Sequence, residues 1–245
     1  MPRKSVVLVS GGADSTYAAL RELRETDHEV HLHHHCYQFG FSDVQHDRME
    51  RIALMAMDRL DNYIIPKMKK DERKFTFTRS ASDYSDLPAD SKPNGQRNQY
   101  AHVGGYVCCA LGASRLVTGH RFGSQGSVTG DNTEERERIF KLFLAHFGAH
   151  ARFIPKDIEW NLPAWDYDND QARPKGEIWD YLGDYAELTS SCLNPKRADD
   201  GVWEQCDNRW LIERQFKGKP REPVRCWQCD ATNKELGRIP DVRKV

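Results

Sequence analysis

The sequence predicts an α/β protein: a parallel sheet of about five strands with helices on both faces, followed by a cysteine-bearing appendage. Apolar, β-branched runs alternate with stretches of helical period from residue 6 to residue 183, the pattern of consecutive strand–helix units. The first of these runs, Val6-Val7-Leu8-Val9, is apolar throughout, as strands buried on both faces are. It leads into Ser10-Gly11-Gly12-Ala13-Asp14-Ser15-Thr16 and then a helical stretch from Tyr17 to Arg24. Strand, glycine turn and helix in that order open a Rossmann-like sheet.

The turn also carries chemistry. Asp14, Ser15 and Thr16 are cap-type residues placed before the helical run. A helix N-terminus after a glycine turn presents converging N–H groups and the positive end of the helix dipole, which suits an anion. The hydroxyls of Ser10, Ser15 and Thr16 add uncharged donors. No Gly-Lys-Ser/Thr follows a four-residue spacer, so this is not the common P-loop, and Gly-x-Gly-x-x-Gly is absent from the turn. A bare turn that needed only small residues would not require Ser, Asp and Ser at those places.

The elements that follow read in order. Glu29 to Tyr37 alternates as a second strand. Within it His33 and His35 share one face and His34 points to the other, so the three histidines do not converge on one ion. They read as a polar wall near the edge of the sheet where ligands bind. Gln45 to Arg51 opens a helix whose Met49, Ile52, Ala53, Ala56, Met57 and Leu60 recur at helical spacing and are expected to face the sheet. Tyr63-Ile64-Ile65-Pro66 reads as a third strand. Lys67 to Gln96 is polar and reads as a long loop, basic from Lys67 to Lys74 as a solvated face. Arg97-Asn98 leads a helix through Leu111, with Cys108 and Cys109 as small buried hydrophobes. Arg97 is a fork for phosphate or carboxylate, and Asn98 a cap or a ligand contact. Arg115 to His120 reads as the fourth strand, 121–133 as a polar loop, Glu134 to His146 as a helix and Phe153-Ile154-Pro155 as a short strand. A helix from Pro174, suited to a first turn, to Gly183, suited to a stop, completes the body.

Composition narrows the class. With 245 residues, 38% apolar and 30% charged, the chain has a thin core that a metal or second subunit would support. A net charge of −1 gives no strong nucleic-acid signal. No run reaches the length of a membrane span, and the chain enters a strand almost at once, leaving no room for a signal peptide. Seven cysteines, an odd count with one Cys-x-x-Cys, fit a reducing compartment and a metal site better than a disulfide framework, which places the chain in a cytoplasm.

The composition changes after Glu187, which divides the chain into a body, 1–187, and a cysteine-bearing region, 188–245. Cys226-Trp227-Gln228-Cys229 has the bite of a zinc knuckle, and Cys192 and Cys206 supply two further thiolates for a tetrahedral site. A redox dithiol, or a zinc held by three thiolates and a water or His, are the competing readings. A closed tetrathiolate has no free position for catalysis and would pin the tail.

Ser10-Gly11-Gly12-x-Asp14-Ser15 resembles the signature of the PP-loop superfamily, the ATP pyrophosphatases, which cleave ATP between its α and β phosphates. Further pieces resemble, in order, the QueC family (also called ExsB), the 7-cyano-7-deazaguanine synthases, of adenine nucleotide alpha hydrolase-like fold. Gln45 to Glu50 resembles the start of that family's second helix. Arg97-Asn98, with Ala110-Leu111-Gly112-Ala113, resembles its Arg-Asn…Ala-x-x-Leu-Gly-Ala segment. Asp131 to Phe140 resembles its Pro-Asp-Cys-x-x-x-Phe segment, with Pro and Cys absent. Lys175-Gly176-Glu177-Ile178 and Leu188-Thr189-Ser190-Ser191-Cys192 resemble its Lys-x-Glu-Ile…Thr-x-Ser-Cys. The family packs its last zinc cysteines as Cys-x-x-Cys-x-x-Cys. Here Thr232 follows Cys226-x-x-Cys229, and Cys206 stands well upstream, as in a divergent branch, viral or bacterial.

The resemblance implies conversion of 7-carboxy-7-deazaguanine, ammonia and ATP to the nitrile preQ0, through an acyl adenylate and an amide. It implies ATP held by Ser10, Gly11, Gly12, Ala13, Asp14, Ser15 and Thr16. Asp14, an anion itself, would orient loop amides or Mg²⁺. Lys175 would neutralise the leaving pyrophosphate and Arg97 would grip phosphate or the substrate carboxylate. Structural Zn²⁺ on Cys192, Cys206, Cys226 and Cys229, and a homodimer, are also implied. The alternatives are another PP-loop adenylating enzyme, acting on a different carboxylate or in tRNA thiolation, and a nucleotide-binding module without turnover.

Overall fold

The computed structural model describes residues 3–39, 43–84, 96–121, 158–169, 171–190, 192, 195–201, 203–204, 211–214 and 222–225. The expected 121–133 loop (beyond Arg121), the helix at 134–146 and the strand at 153–155 lie outside them.

Five strands form one parallel sheet: β1 (Lys4–Leu8), β2 (Glu29–Phe39), β3 (Thr76–Tyr84), β4 (Arg115–Thr118) and β5 (Glu159–Asn161), in the order β3-β2-β1-β4-β5. The expectation of a parallel five-strand α/β sheet is met among the described residues. The strand order reverses at β1, which puts the topological switch point of the sheet, the place where ligands of open α/β folds bind, at the C-terminal ends of β1 and β4.

Among the described residues, helices cover both faces. On one face α1 (Ala13–Glu25) packs Tyr17, Leu20 and Leu23 over Val7, Val9, Leu32 and Val117. α5 (Lys175–Leu182) adds Ile178 and Leu182 to the same cluster. On the other face α4 (Gln96–Leu111) brings Cys108 to Val6, Leu8, Leu116 and Trp160. Each face holds an apolar cluster, and burial of its side chains supplies the main stabilisation, on the order of 2 kcal/mol for each large aliphatic side chain.

The third strand is not where the periodicity placed it. α2 (Asp43–Asp58) runs into a π-helical turn, Arg59–Ile64, and then α3 (Ile65–Asp71). Leu60, Ile64 and Met68 recur every fourth residue and are all buried, so Tyr63-Ile64-Ile65-Pro66 is helical. Pro66 is tolerated because it falls at the start of α3. Four apolar or ring residues in a row carry no period of their own, and a short run of this kind fits strand or helix equally. The true third strand, Thr76–Tyr84, carries a hydroxyl at every second position, Thr76, Thr78, Ser80 and Ser82, inside the stretch expected to be loop.

In α2 it is Met55, not Met57, that is buried, while Ile52, Ala53, Ala56 and Met57 are only partly covered. Asn98 is not a cap, because α4 already begins at Gln96. α5 starts one residue after Pro174, and Gly183, with φ 52°, ends it in the left-handed region as expected. Short two-stranded ribbons, β6 (Trp165–Asp166) with β7 (Gln171–Ala172), β8 (Lys196–Arg197) with β9 (Trp203–Glu204), and β10 (Leu211–Arg214) with β11 (Glu222–Arg225), complete the described residues. None of the described helices is long and apolar enough to cross a membrane.

Candidate active site

β1 ends at Leu8, and the Val9 N–H still donates to the His33 carbonyl of β2 at 2.9 Å. The chain then turns through Ser10 and Gly11, whose φ of 75° favours glycine. Gly12 is extended and serves as the N-cap without a side-chain cap bond. α1 therefore begins at Ala13, and Asp14, Ser15 and Thr16 form its first turn rather than preceding it. Their side chains do other work. Ser15 Oγ donates to the Gly12 carbonyl at 3.0 Å, accepts the Ser10 N–H at 3.0 Å and lies 3.0 Å from Ser10 Oγ. One hydroxyl thus holds the turn closed on itself. Thr16 Oγ1 is buried with no hydrogen-bond partner among the described residues.

The first N–H groups of any helix lack acceptors inside it. At α1 these groups lie at the C-terminal edge of the sheet, where ligands of such folds bind. The neighbouring strands press in. An ideal Cβ on Gly119, just past β4, would stand 2.5 Å from the Asp14 carbonyl and from the Ser15 nitrogen. A Cβ on Gly11 would stand 3.1 Å from the Ala56 carbonyl of α2. The Gly11 carbonyl also accepts the Ser190 N–H at 2.9 Å.

Asp14 and Lys175 meet across the fold. Lys175 Nζ donates to both carboxylate oxygens, at 2.5 and 2.6 Å, from the first residue of α5. The lysine is 6% exposed although charged, so its ammonium is held inside the protein by the carboxylate. Asp14 is therefore occupied by a cation. The two residues singled out on either side of the chain are one ion pair at the start of α1.

Arg97 lies in the first turn of α4, but its side chain is outside the described residues. Of the four tail cysteines only Cys192 is described. It is buried, and its N–H donates to Ser190 Oγ at 3.3 Å. Cys206, Cys226 and Cys229 lie outside the described residues, and no group of three metal-ligand side chains occurs among those described.

The histidines of β2 split as their period requires. His31, His33 and His35 lie on the face that carries Val6 and Leu8, in register with them. Each ring joins hydroxyls of β3: His31 meets Thr76 and Thr78, both at 2.7 Å, and His33 meets Thr78 and Ser80, both at 2.8 Å. His35 meets Ser80 at 2.6 Å and Ser82 at 3.1 Å. The polar wall is thus a ladder along the β2–β3 seam. Burial, then the neighbouring rings, pushes His33 down to about 4. Unfolded histidine titrates near 6.5, so between those values the unfolded chain binds more protons. Stability is expected to be full above about pH 6.5 and to fall as pH drops towards about 4. Urea midpoints across that range check this, and His33→Gln is expected to flatten the slope.

Two features of this region escaped the sequence reading. Gly119 lies just past β4 rather than within the strand, and only its place directly after an apolar run hints at a close approach. The strand period points His34 away from the neighbouring histidines, onto a face that it shares with another residue. At period two that residue is Cys36. His34 Nδ1 is 2.7 Å from the Val9 carbonyl and its Nε2 is 3.1 Å from Cys36 Sγ.

A cavity of about 500 Å³ lies between the starts of β1, β2 and β3, lined by Lys4, Glu29, His31, Arg73 and Thr76 among others. It is at the opposite edge of the sheet from the turn, so it is not the pocket this turn serves.

No family model matches the chain. No curated protein matches it either. Twenty solved chains do. One is the U34-tRNA thiolase NcsA from Methanococcus maripaludis with its 4Fe-4S cluster, at 14% identity and a TM-score of 0.42. The match covers 77% of this chain and 58% of that one, so this chain spans less than two thirds of the neighbour's length. At that identity and TM-score the likeness identifies neither reaction nor substrate.

Proposed function

We propose that the chain is an ATP-dependent enzyme of PP-loop type that adenylates a carboxylate and joins the carbon to ammonia. The observation that carries this is the Ser10–Thr16 turn on the N-terminus of α1, with the Lys175 ammonium bound to Asp14 in its first turn. An anion at that turn meets unpaired helix N–H groups, neutral hydroxyls and a cation fixed nearby.

A carboxylate resists attack because its charge repels a nucleophile and oxide leaves badly. Passing AMP to one oxygen removes both obstacles. The turn would hold the phosphates, with Ser15 keeping Gly12 and Ser10 in place. Lys175 would offset charge that builds on the leaving pyrophosphate, and Asp14 would aim that lysine. Mg²⁺ would arrive with the nucleotide. The substrate proposed is 7-carboxy-7-deazaguanine, on the resemblance of the 10–15, 97–113 and 175–192 segments; a second ATP would pass AMP to the oxygen of the amide so that it leaves with AMP, the nitrogen giving up both protons, and the nitrile is the product. Incubation with ATP, ammonia and that acid is expected to release AMP and pyrophosphate and to yield the nitrile by mass spectrometry. Nucleotide binding with no AMP from this acid or any other carboxylate would leave a binding module.

Zinc belongs to the same proposal. The donor set, four thiols with Cys192 buried, suits a soft closed site, and zinc there would supply a cross-link and no chemistry. Metal analysis is expected to find roughly one zinc per chain, lost in Cys226→Ser together with a fall in melting temperature.

A further inference from the structure

We propose that Cys36 is a nucleophile and His34 its base, and that the pair takes the acyl group from the adenylate as a thioester. This rests on the adenylating reading above.

The geometry assigns the proton. The Val9 carbonyl only accepts, so His34 Nδ1, 2.7 Å away, carries the hydrogen and donates it. Burial lowers the pKa of His34 against the opposing pull of the Val9 carbonyl, and the nearby Arg79 adds to the lowering, which favours the neutral ring. Nε2 is then a bare acceptor, and the Cys36 thiol donates to it at 3.1 Å. Nucleophile, base and a third group that orients the base are the three parts of an activated thiol. Here the third group is a backbone carbonyl.

Position points to the use. Val9 directly precedes the Ser10–Thr16 turn, so the orienting carbonyl lies between the end of β1 and the turn proposed to hold the phosphates. β2 runs to Phe39, past the end of β1 at Leu8, and Cys36 lies on that overhang at the C-terminal edge of the sheet. The thiol is partly exposed, whereas His34 is 4% exposed. The ring is shielded and the sulfur is not sealed off. Burial raises the thiol's pKa against the pull of Arg79, so the resting pair is S–H and neutral imidazole, with no standing thiolate. Such a pair moves its proton only as an electrophile is attacked, as a serine–histidine pair does.

The other described cysteines lack this arrangement. Cys108 is fully buried, donates to the Arg115 carbonyl and has its pKa pushed far up by burial, so it is inert. Cys109 is partly exposed in α4 and makes no histidine contact among the described residues. It serves as the internal comparison.

The proposed step balances. Cys36 sulfur attacks the acyl carbon, the carbon–oxygen bond to AMP breaks, AMP leaves, and the thiol proton passes to His34 Nε2. Ammonia then attacks the thioester and the carbon–sulfur bond breaks. The departing sulfur takes a proton from the attacking nitrogen, and His34 gives its own proton to water. The amide is released with the pair restored.

Iodoacetamide reads the pair without any substrate, by peptide mass spectrometry of Cys36 and Cys109 over time. His34→Asn keeps an N–H close to the Val9 carbonyl and removes the acceptor at Nε2. It is expected to slow labelling of Cys36 on the order of 100-fold, the span of a general base, and to leave Cys109 unchanged. His34→Gln, with circular dichroism on both variants, separates loss of the base from loss of folding. Equal labelling of Cys36 in wild type and a folded His34→Asn overturns the pair. In the second arm the intact protein is quenched after ATP and 7-carboxy-7-deazaguanine without ammonia. A mass gain equal to the acyl group on Cys36, removed by hydroxylamine and absent in Cys36→Ala, is expected. AMP formation without that gain overturns the acyl transfer while leaving adenylation intact. No AMP removes the adenylating reading and the acyl transfer with it, and labelling then judges the pair alone.

Discussion

Gly119→Ala is expected to destabilise the protein by about 3 kcal/mol or more and to abolish nucleotide binding. A methyl at that position would sit 2.5 Å from the carbonyl of Asp14 and the nitrogen of Ser15. Both are backbone atoms, so no side chain can swing aside. Relief requires the start of α1 to retreat from β4, which opens the turn that Ser15 closes. Urea unfolding gives the stability change, and nucleotide titration of the folded fraction gives the second effect. Gly176→Ala is the control. Nothing lies within 4 Å of its ideal Cβ and it is helical, so the change is expected to be neutral or to stabilise by roughly 0.5 kcal/mol. A folded Gly119→Ala protein with ordinary nucleotide affinity would show that the turn tolerates displacement.

Lys175→Met is expected to reduce AMP formation on the order of 100-fold, with a smaller loss of ATP affinity. Methionine keeps the length of the side chain and removes the ammonium. Asp14 then keeps its charge at the start of α1, where the helix dipole favours it but repels an incoming phosphate. The double variant Asp14→Asn with Lys175→Met separates two roles. A purely structural pair predicts that removing both charges restores stability and rate, because it is the orphaned partner that is costly. A lysine that stabilises developing charge predicts restored stability and a rate that stays low. Recovery of the rate in the double variant would sink the assigned role of Lys175.

How far the sequence alone reached depends on how many signals converged on a segment. β1, the turn and α1 were legible because an apolar run, paired glycines and cap-type residues agree on one geometry. The start of α5 was legible from Pro174 and its end from Gly183. The pairing of Asp14 with Lys175 was not, since no pattern relates residues so far apart in the chain, although each was singled out by its own local context. The region from Tyr63 to Tyr84 was misread for a physical reason. Ile64 and Ile65 favour strands intrinsically, but burial against α1 and the sheet decides their state, and that burial needs Leu60 and Met68 a turn away on either side. β3 was hidden because its apolar side chains are few: Thr76, Thr78, Ser80 and Ser82 take the positions that facing apolar residues would fill in an ordinary strand. Their partners are the histidines of β2, so the strand is recognisable only once both sequences are set side by side in register.

The Ser190 N–H on the Gly11 carbonyl has a consequence for anyone wishing to trim this protein. The compositional boundary near residue 187 invites a shortened clone ending there. That clone would lose the strap that ties the glycine of the turn to the segment carrying Cys192, and with it Ser190 Oγ against the Met55 sulfur at 3.4 Å. The start of the cysteine region and the turn at the head of α1 are fastened at one peptide group, so a cut at residue 187 would fall on the wrong side of that fastening.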